Sequence, residues 1–439
     1  HHSSTGPTSM LEGETMKPII GRIPSWKLNV GRSMVNGNRL TLLTLMTIAL
    51  LLAGCGTIQI RNPVPLSVQE EPRVLGRADL RFWGDDIPPQ IERRVQTLSK
   101  EEIKADFPAL FGQPHHYLAI SGGGADGAFG AGLLVGWTRT GNRPLFQMVT
   151  GISTGALIAP FAFLGPDYDP ILKAVYTTIS TKDILIERPL LKILGSDAAA
   201  DSTPLWALIQ RYVGDEVIAA IAAAHRTGRR LFIGTSDLDY MRPRIWDIGA
   251  IASSGKAGAK DLIHRIMLAS ASIPGVFPPV YITIEAGGSF YDELHVDGGV
   301  CSQVFVYPAA MNWRNLLNKL EVPGPANVYV IRNSDLQPDH KTVEPKLASI
   351  AGRSISSLIR TQGIGDLYLI YMLTRRDGAN YQLAYIPDDF GEVPEEPFDT
   401  AYMNKLFEHG YRMAQGGYPW EDTPPGWHKA AGTVQQIKK

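Results

Sequence analysis

Cysteine is nearly absent: Cys55 and Cys301 are the only two in 439 residues. That excludes a disulfide framework of the small secreted type and leaves a cysteine-rich metal site without ligands. A surplus of positive charge is missing too. With 42 basic against 43 acidic side chains the formal net charge is −1, which argues against nucleic acid as a partner, because phosphate recognition rests on excess Lys and Arg. No internal repeat is visible. No apolar run reaches the ~20 residues that a membrane-spanning helix needs. What the chain does have is an ordinary hydrophobic fraction, 44%, and a length that leaves room for two or three domains with a sizeable core.

The start is uneven. HHSSTGPTSM reads as a histidine tag and linker, so His1 and His2 are set aside as ligands. A basic, acid-poor stretch follows, with Lys17, Arg22, Lys27, Arg32 and Arg39, and then the uncharged run LTLLTLMTIALLLA from Leu40 to Ala53. A positive segment, a short apolar run and small residues at its end describe an export signal, for which Met34 is a plausible start. Leu52-Ala53-Gly54-Cys55 resembles the lipobox of bacterial lipoproteins. That resemblance implies acylation of Cys55 and membrane attachment through several acyl chains. It places the protein in a bacterial cell envelope, and Gly56 after the cysteine resembles lipoproteins sent to an outer membrane where the cell has one. Residues 56 to about 100, with Pro63, Pro65, Pro72, Pro88 and Pro89, read as a linker.

Beyond the linker, strand and helix patterns alternate. Strands are expected at Tyr117–Ile120, Phe146–Thr150, Arg230–Thr235, Arg244–Ile248, Val280–Ile284 and Val328–Ile331, with a late hairpin strand near Tyr381 to Tyr385. Helices are expected at Ala128–Thr138, Ala156–Leu164, Ala174–Leu185, Thr203–Val213, Val217–Arg226 and Leu262–Ser272. This alternation predicts an α/β fold with a mainly parallel sheet between helical layers.

Three motifs carry the chemistry. Gly122-x-Gly124-x-x-Gly127 sits between a strand and a helix, as a dinucleotide-binding loop would. That reading needs an acid ~20 residues on, at the end of the next strand. Here the next acid after Asp126 is Asp167, and the second strand runs instead into a serine. A glycine-rich loop can also serve as an oxyanion hole, its backbone N–H groups at Gly122, Gly123 and Gly124 aimed at a substrate oxygen. The serine is Ser153, in Gly151-Ile152-Ser153-Thr154-Gly155, a GxSxG between an apolar strand and an apolar helix, the setting of a nucleophile elbow. Its base is either a histidine or Asp297. A triad in the order Ser, acid, His would draw on His340, His409 or His428, none of which lies in a recognisable loop after a strand. Asp297 stands in Asp297-Gly298-Gly299, which in isolation signals a turn.

Together the glycine-rich loop, GxSxG and DGG, in that order, resemble the patatin-like phospholipase family. Asp201-Ser202-Thr203-Pro204-Leu205 and the Ala/Ser-rich helix end with its proline turn, Leu268 to Val280, add to the likeness, which runs from about residue 117 to about residue 310. It departs at Asp126, where the family usually carries Arg or Lys; an acid there is expected to bond to backbone N–H groups at the helix start.

The resemblance implies a three-layer α/β/α sandwich of modified α/β-hydrolase type. It implies a Ser153–Asp297 dyad acting on a lipid or phospholipid ester, with no cofactor and no metal. An alternative keeps the fold as a catalytically weak lipid-binding or scaffold lipoprotein in which Asp126 has spoiled the loop. The expected organisation is a tag remnant over 1–15, the signal over 16–54, a linker and extension over 55–110, the catalytic domain over 111–335 and a C-terminal helical or mixed extension over 336–439. A lid over Asp169 to Leu194 is also conceivable, the simpler expectation there being packed helix.

Overall fold

The chain divides after Cys55 into two units, His1–Cys55 and Gly56–Lys439. The structure is a computed structural model. It describes residues 61–427 apart from 69–71, 88–92, 94–96, 190–192, 194–195 and 339. The expected signal segment and Cys55 therefore lie outside the described residues, as do His428 and positions 190–192 and 194 of the expected lid.

Nine strands form one sheet: β1 (Arg81–Trp83), β2 (His116–Ile120), β3 (Met148–Gly151), β4 (Arg230–Asp237), β5 (Arg242–Asp247), β6 (Val280–Ala286), β7 (Ser289–Asp297), β8 (Asn327–Arg332) and β9 (Asn380–Tyr385). In space the order is β1-β5-β4-β3-β2-β8-β9, with β7 pairing both β4 and β6. From β4 to β9 the neighbours run parallel, while β5 pairs with β4 antiparallel, and β1 with β5.

Alternate side chains of these strands feed two cores. Leu118, Ile120, Val149, Leu231 and Ile233 face one helical layer: α2 (Gly127–Arg139), α3 (Thr154–Leu164), α4 (Asp169–Thr178), α7 (Asp215–Arg226), α9 (Ala259–Ser270) and α12 (Thr400–Gln415). Tyr117, Ala119, Met148, Phe232 and Val330 face the other layer, formed by the segment from Val304, α10 (Trp313–Lys319) and α11 (Leu347–Asp377). The helices α1 (Lys100–Asp106), α5 (Thr181–Ile184), α6 (Thr203–Tyr212) and α8 (Ile248–Ala252) complete the α-helices among the described residues. The fold is a three-layer α/β/α sandwich with a mainly parallel sheet. Among the described residues no helix is long and apolar enough to cross a membrane.

Several expectations need correction. Residues read as linker include β1, and Val74 and Leu80 are buried, because Leu80 and Arg81 pack inward beside β5. The strand near Tyr381 is no hairpin partner; β9 pairs parallel with β8, since α11 carries the chain back across the sheet. The helix expected over Ala174 to Leu185 starts earlier as α4 and breaks at Ile179-Ser180, where Ser180 caps α5 in a reciprocal bond with Asp183. The glycines of α2 let it approach another helix as well as the sheet: a Cβ at Gly132 would lie 2.0 Å from the Phe407 carbonyl oxygen of α12.

Candidate active site

β3 ends at Gly151, and the chain turns sharply through Ile152 and Ser153 into α3. β4 continues beyond that point. Its vacated edge, Thr235 to Asp237, is taken by the end of β7, with Thr235 opposite Asp297 two residues past the Ile233–Gly151 pair. Strand pairing thus puts Asp297 in line with the turn that carries Ser153. Both are buried.

Ser153 holds φ +56° and ψ −126°, a left-handed conformation that costs a residue with a Cβ ~1–3 kcal/mol and persists only where the surroundings impose it. The flanking glycines permit the turn. A Cβ on Gly151 would lie 2.4 Å from the Gly155 carbonyl oxygen, and one on Gly155 would lie 2.3 Å from that of Ile120. The end of α9 braces both residues: Ser153 N–H donates to Ser270 Oγ at 3.0 Å, Ser270 Oγ donates to the Gly234 carbonyl at 2.7 Å, and Asp297 N–H donates to the Ser272 carbonyl at 2.9 Å. Nothing in the sequence gave Ser270 a role, although it lies in the Ala/Ser-rich segment already singled out.

Asp297 Oδ1 accepts from Gly299 N–H at 2.7 Å, and Oδ2 is buried without a hydrogen bond. Burial pushes the carboxyl up to about 7, against the opposing pull of the nearby Ser153 hydroxyl and the Gly299 N–H. Such a carboxylate is a base near neutral pH, as proton abstraction from a serine requires.

The glycine-rich loop lies beside the serine: a Cβ on Gly122 would be 3.1 Å from that of Ser153. Gly122 N–H donates to the Gln303 carbonyl at 3.1 Å, so it is committed within the protein. Among the described residues Gly123 and Gly124 have no such partner for their N–H groups, which leaves them as donors at the start of α2. Asn333, just past β8, fixes the loop by donating from N–H to Ser121 Oγ at 2.8 Å, donating from Nδ2 to the Ser121 carbonyl at 3.0 Å, and accepting from Gly130 N–H at 3.1 Å. A Cβ on Gly123 would lie 2.1 Å from the Asn333 carbonyl oxygen. Gly127 abuts Thr154 of the elbow, Gly298 lies under the Gly234 carbonyl, and the Gly299 carbonyl accepts from Gln303 Nε2 at 2.7 Å. Asp366 of α11 holds the other side of Gln303 by accepting from its N–H at 2.6 Å.

Asp126 does not cap α2 with its side chain. Its Oδ1 accepts instead from Tyr402 Oη of α12 at 2.7 Å, and burial pushes its pKa up to about 6. Asp126 itself holds helical dihedrals, φ −66° and ψ −13°, and not the extended conformation from which a capping side chain reaches back to the helix N–H groups.

Histidines stand elsewhere. His295 shares the buried face of β7 with Asp297 but pairs through Nδ1 with Thr235 Oγ1 and through Nε2 with Glu293, both at 3.1 Å. His409 packs on Phe390, and His340 is exposed. Among the described residues no histidine bonds to Ser153 or Asp297. Asp237, Glu293 and His295 present ligand atoms within 4.8 Å of one another. Arg81 is paired with Glu293, and Arg244 lies near both carboxylates, so two guanidinium groups already balance two acids. Burial raises the Glu293 carboxyl, but Arg81 and His295 outweigh it and hold it well below the usual range. This network anchors β7.

A cavity of about 450 Å³ runs between the sheet and the layer of α10 and α11, within the ~300–1,000 Å³ of small-molecule sites. Its walls are mostly apolar and include Ile152 and Gly298, the chain neighbours of the serine and the aspartate.

Residues 118–310 match the patatin-like phospholipase family, and this stretch is a patatin-like phospholipase domain. The match supports lipid hydrolase activity. Among solved structures, VipD from Legionella pneumophila is similar over 69% of this chain and 67% of that chain, at 11% identity and a TM-score of 0.32. No curated protein matches the chain.

Proposed function

We propose that this protein is a serine acyl hydrolase of lipid esters, acting through Ser153 and Asp297. One observation carries the reading: a serine forced into a left-handed turn stands beside a buried carboxyl raised to about 7.

Ser153 Oγ attacks the ester carbonyl while its proton passes to Asp297. The oxyanion rests on the N–H groups of Gly123 and Gly124, where loss of one donor costs ~10²–10³ in rate. Collapse breaks the ester C–O bond, and Asp297 returns the proton to the departing alcohol. Water then attacks the acyl-serine with Asp297 again as base, and acid and free serine are restored. The apolar cavity beside Ile152 and Gly298 suits an acyl chain. The family's phospholipid chemistry fits such a chain, and the lipobox at Cys55 fits an acyl anchor in a bacterial envelope membrane.

Covalent labelling by a fluorophosphonate tests the nucleophile. Labelling of the folded protein that disappears in Ser153→Ala is expected; equal labelling of Ser153→Ala, or none of the parent, overturns the assignment. Cys55→Ala should abolish incorporation of radiolabelled palmitate in cells, and persistent label would remove the anchor.

A further inference from the structure

Most of the first half of α11 is exposed, and that exposed part carries an apolar stripe. At 100° per residue, Leu347, Ala351 and Leu358 share one stripe flanked by Ile350, Ile355 and Ile359, while Lys346, Arg353 and Arg360 fall on the opposite side. An amphipathic helix normally turns its apolar stripe inward. Here the apolar stripe faces out. Leu347 is 86% exposed, Ile355 57% and Leu358 69%, whereas Arg360 reaches back to the Leu336 carbonyl at 2.6 Å.

The location of this stripe matters. α11 runs antiparallel to the parallel strands, since it leaves the C-terminal end of β8 and returns to the start of β9. Its middle lies on the site: Gly363 packs against Arg332 at the end of β8, and Asp366 holds Gln303. Everything before Arg360 therefore projects past the sheet edge on which Ser153 opens, by about 20 Å at 1.5 Å per residue. Val300, three residues after Asp297, and Met241, in the turn that follows β4, are exposed apolar residues that follow strand ends on that same edge.

The charge pattern narrows what covers this stripe. Between Glu344 and Asp366 there is no acid; Lys346 pairs with Glu344 at 2.6 Å, and Arg353 and Arg360 are the two further positive charges. A second copy would bring like charges together with no acid between them. A bilayer carrying anionic lipid offers apolar depth for the stripe and negative charge for the basic residues behind it. We infer that the N-terminal half of α11 docks on an anionic lipid surface and sets the mouth of the site against it. This rests on the hydrolase reading only where activity is measured.

The test uses the full chain with Cys55→Ser and Cys301→Ser, carrying an environment-sensitive NBD label at Leu358→Cys or, as a control on α12, at Glu408→Cys. Vesicles are phosphatidylcholine alone, or phosphatidylcholine and phosphatidylglycerol at seven to three. The expected result is a several-fold rise and blue shift of the label at 358 on the anionic vesicles, weakened by high salt, with little change at 408. In parallel, Ile355→Glu combined with Leu358→Glu should lower hydrolysis of vesicle phospholipid at least ~10-fold and leave a monomeric short-chain ester unaffected. An unchanged label at 358 overturns the inference. So does a shift that depends on protein concentration without vesicles, which would mean a second copy, or a label already shielded at every concentration, which would mean the chain's own remaining segments. Failure of the parent to hydrolyse either ester strikes the hydrolase reading and leaves the label result standing.

Discussion

Asp297→Asn should inactivate the protein, and its stability relative to the parent should rise with pH. The carboxyl is raised from 3.8 to about 7 in the folded chain by burial, so the native state holds its proton more tightly than the unfolded state does. Stability from this group is fully present below pH ~4 and is lost as pH rises through about 7. At ~1.36 kcal/mol per pH unit the whole penalty is about 4 kcal/mol, of which about 3 develops between pH 5 and pH 8. Asparagine keeps the acceptor for Gly299 N–H and cannot ionise. Its amide adds a pH-independent offset, so the difference between two pH values is the quantity to read. Urea unfolding of parent and variant at both pH values gives it: the midpoint of the variant should move up relative to the parent by the equivalent of about 3 kcal/mol on going from pH 5 to pH 8. A difference that does not change with pH refutes the argument that Asp297 is buried and raised. In the parent, kcat/KM for a soluble ester should rise about tenfold between pH 6 and pH 8 with an apparent pKa near 7, as the base ionises.

Other outcomes follow from the same geometry. Ser153→Gly removes the nucleophile and also relieves a left-handed serine, so activity should vanish while thermal unfolding shows a gain of ~1 kcal/mol; a less stable glycine variant would contradict the strained turn. Gly123→Ala drives a methyl into the Asn333 carbonyl, 2.1 Å away, and should lower kcat by ~10² or more through the displaced oxyanion donors, with KM for a soluble ester little changed. Ser270→Ala leaves the Ser153 N–H without its acceptor and should cost ~1–3 kcal/mol of stability on denaturant titration together with a fall in kcat.

Much of this site was legible because its motifs are local. GxSxG needs only a strand, two small residues and a helix, all visible in a few consecutive residues. The glycine-rich loop is equally compact. Asp297 was found, but the strand that delivers it was not: β7 alternates Glu293, His295 and Asp297 on a buried face, and polar residues on an inner face defeat a hydrophobic period. Glu293 and His295 are held there by Arg81 and Thr235, partners that come from distant parts of the chain. The roles of Ser270, Gln303, Asn333 and Asp366 were hidden for the same reason, because each acts through a bond to a loop far away in sequence. α11 escaped notice because its outward stripe interleaves isoleucine and leucine with serine and glycine, a mixture that carries little helix propensity.

The vacated edge of β4 has a consequence for how such a site changes over time. β3 and β7 pair end to end along one edge of β4, so the distance between the two reacting side chains is set by a two-residue stagger along that strand, at ~3.3 Å per residue. It owes nothing to the long stretches that separate Ser153 from Asp297 in the chain. Insertions or deletions between α3 and β4, or in the turn at Met241, can therefore accumulate without moving nucleophile and base apart. Specificity is free to drift in those segments while the reacting pair stays in register.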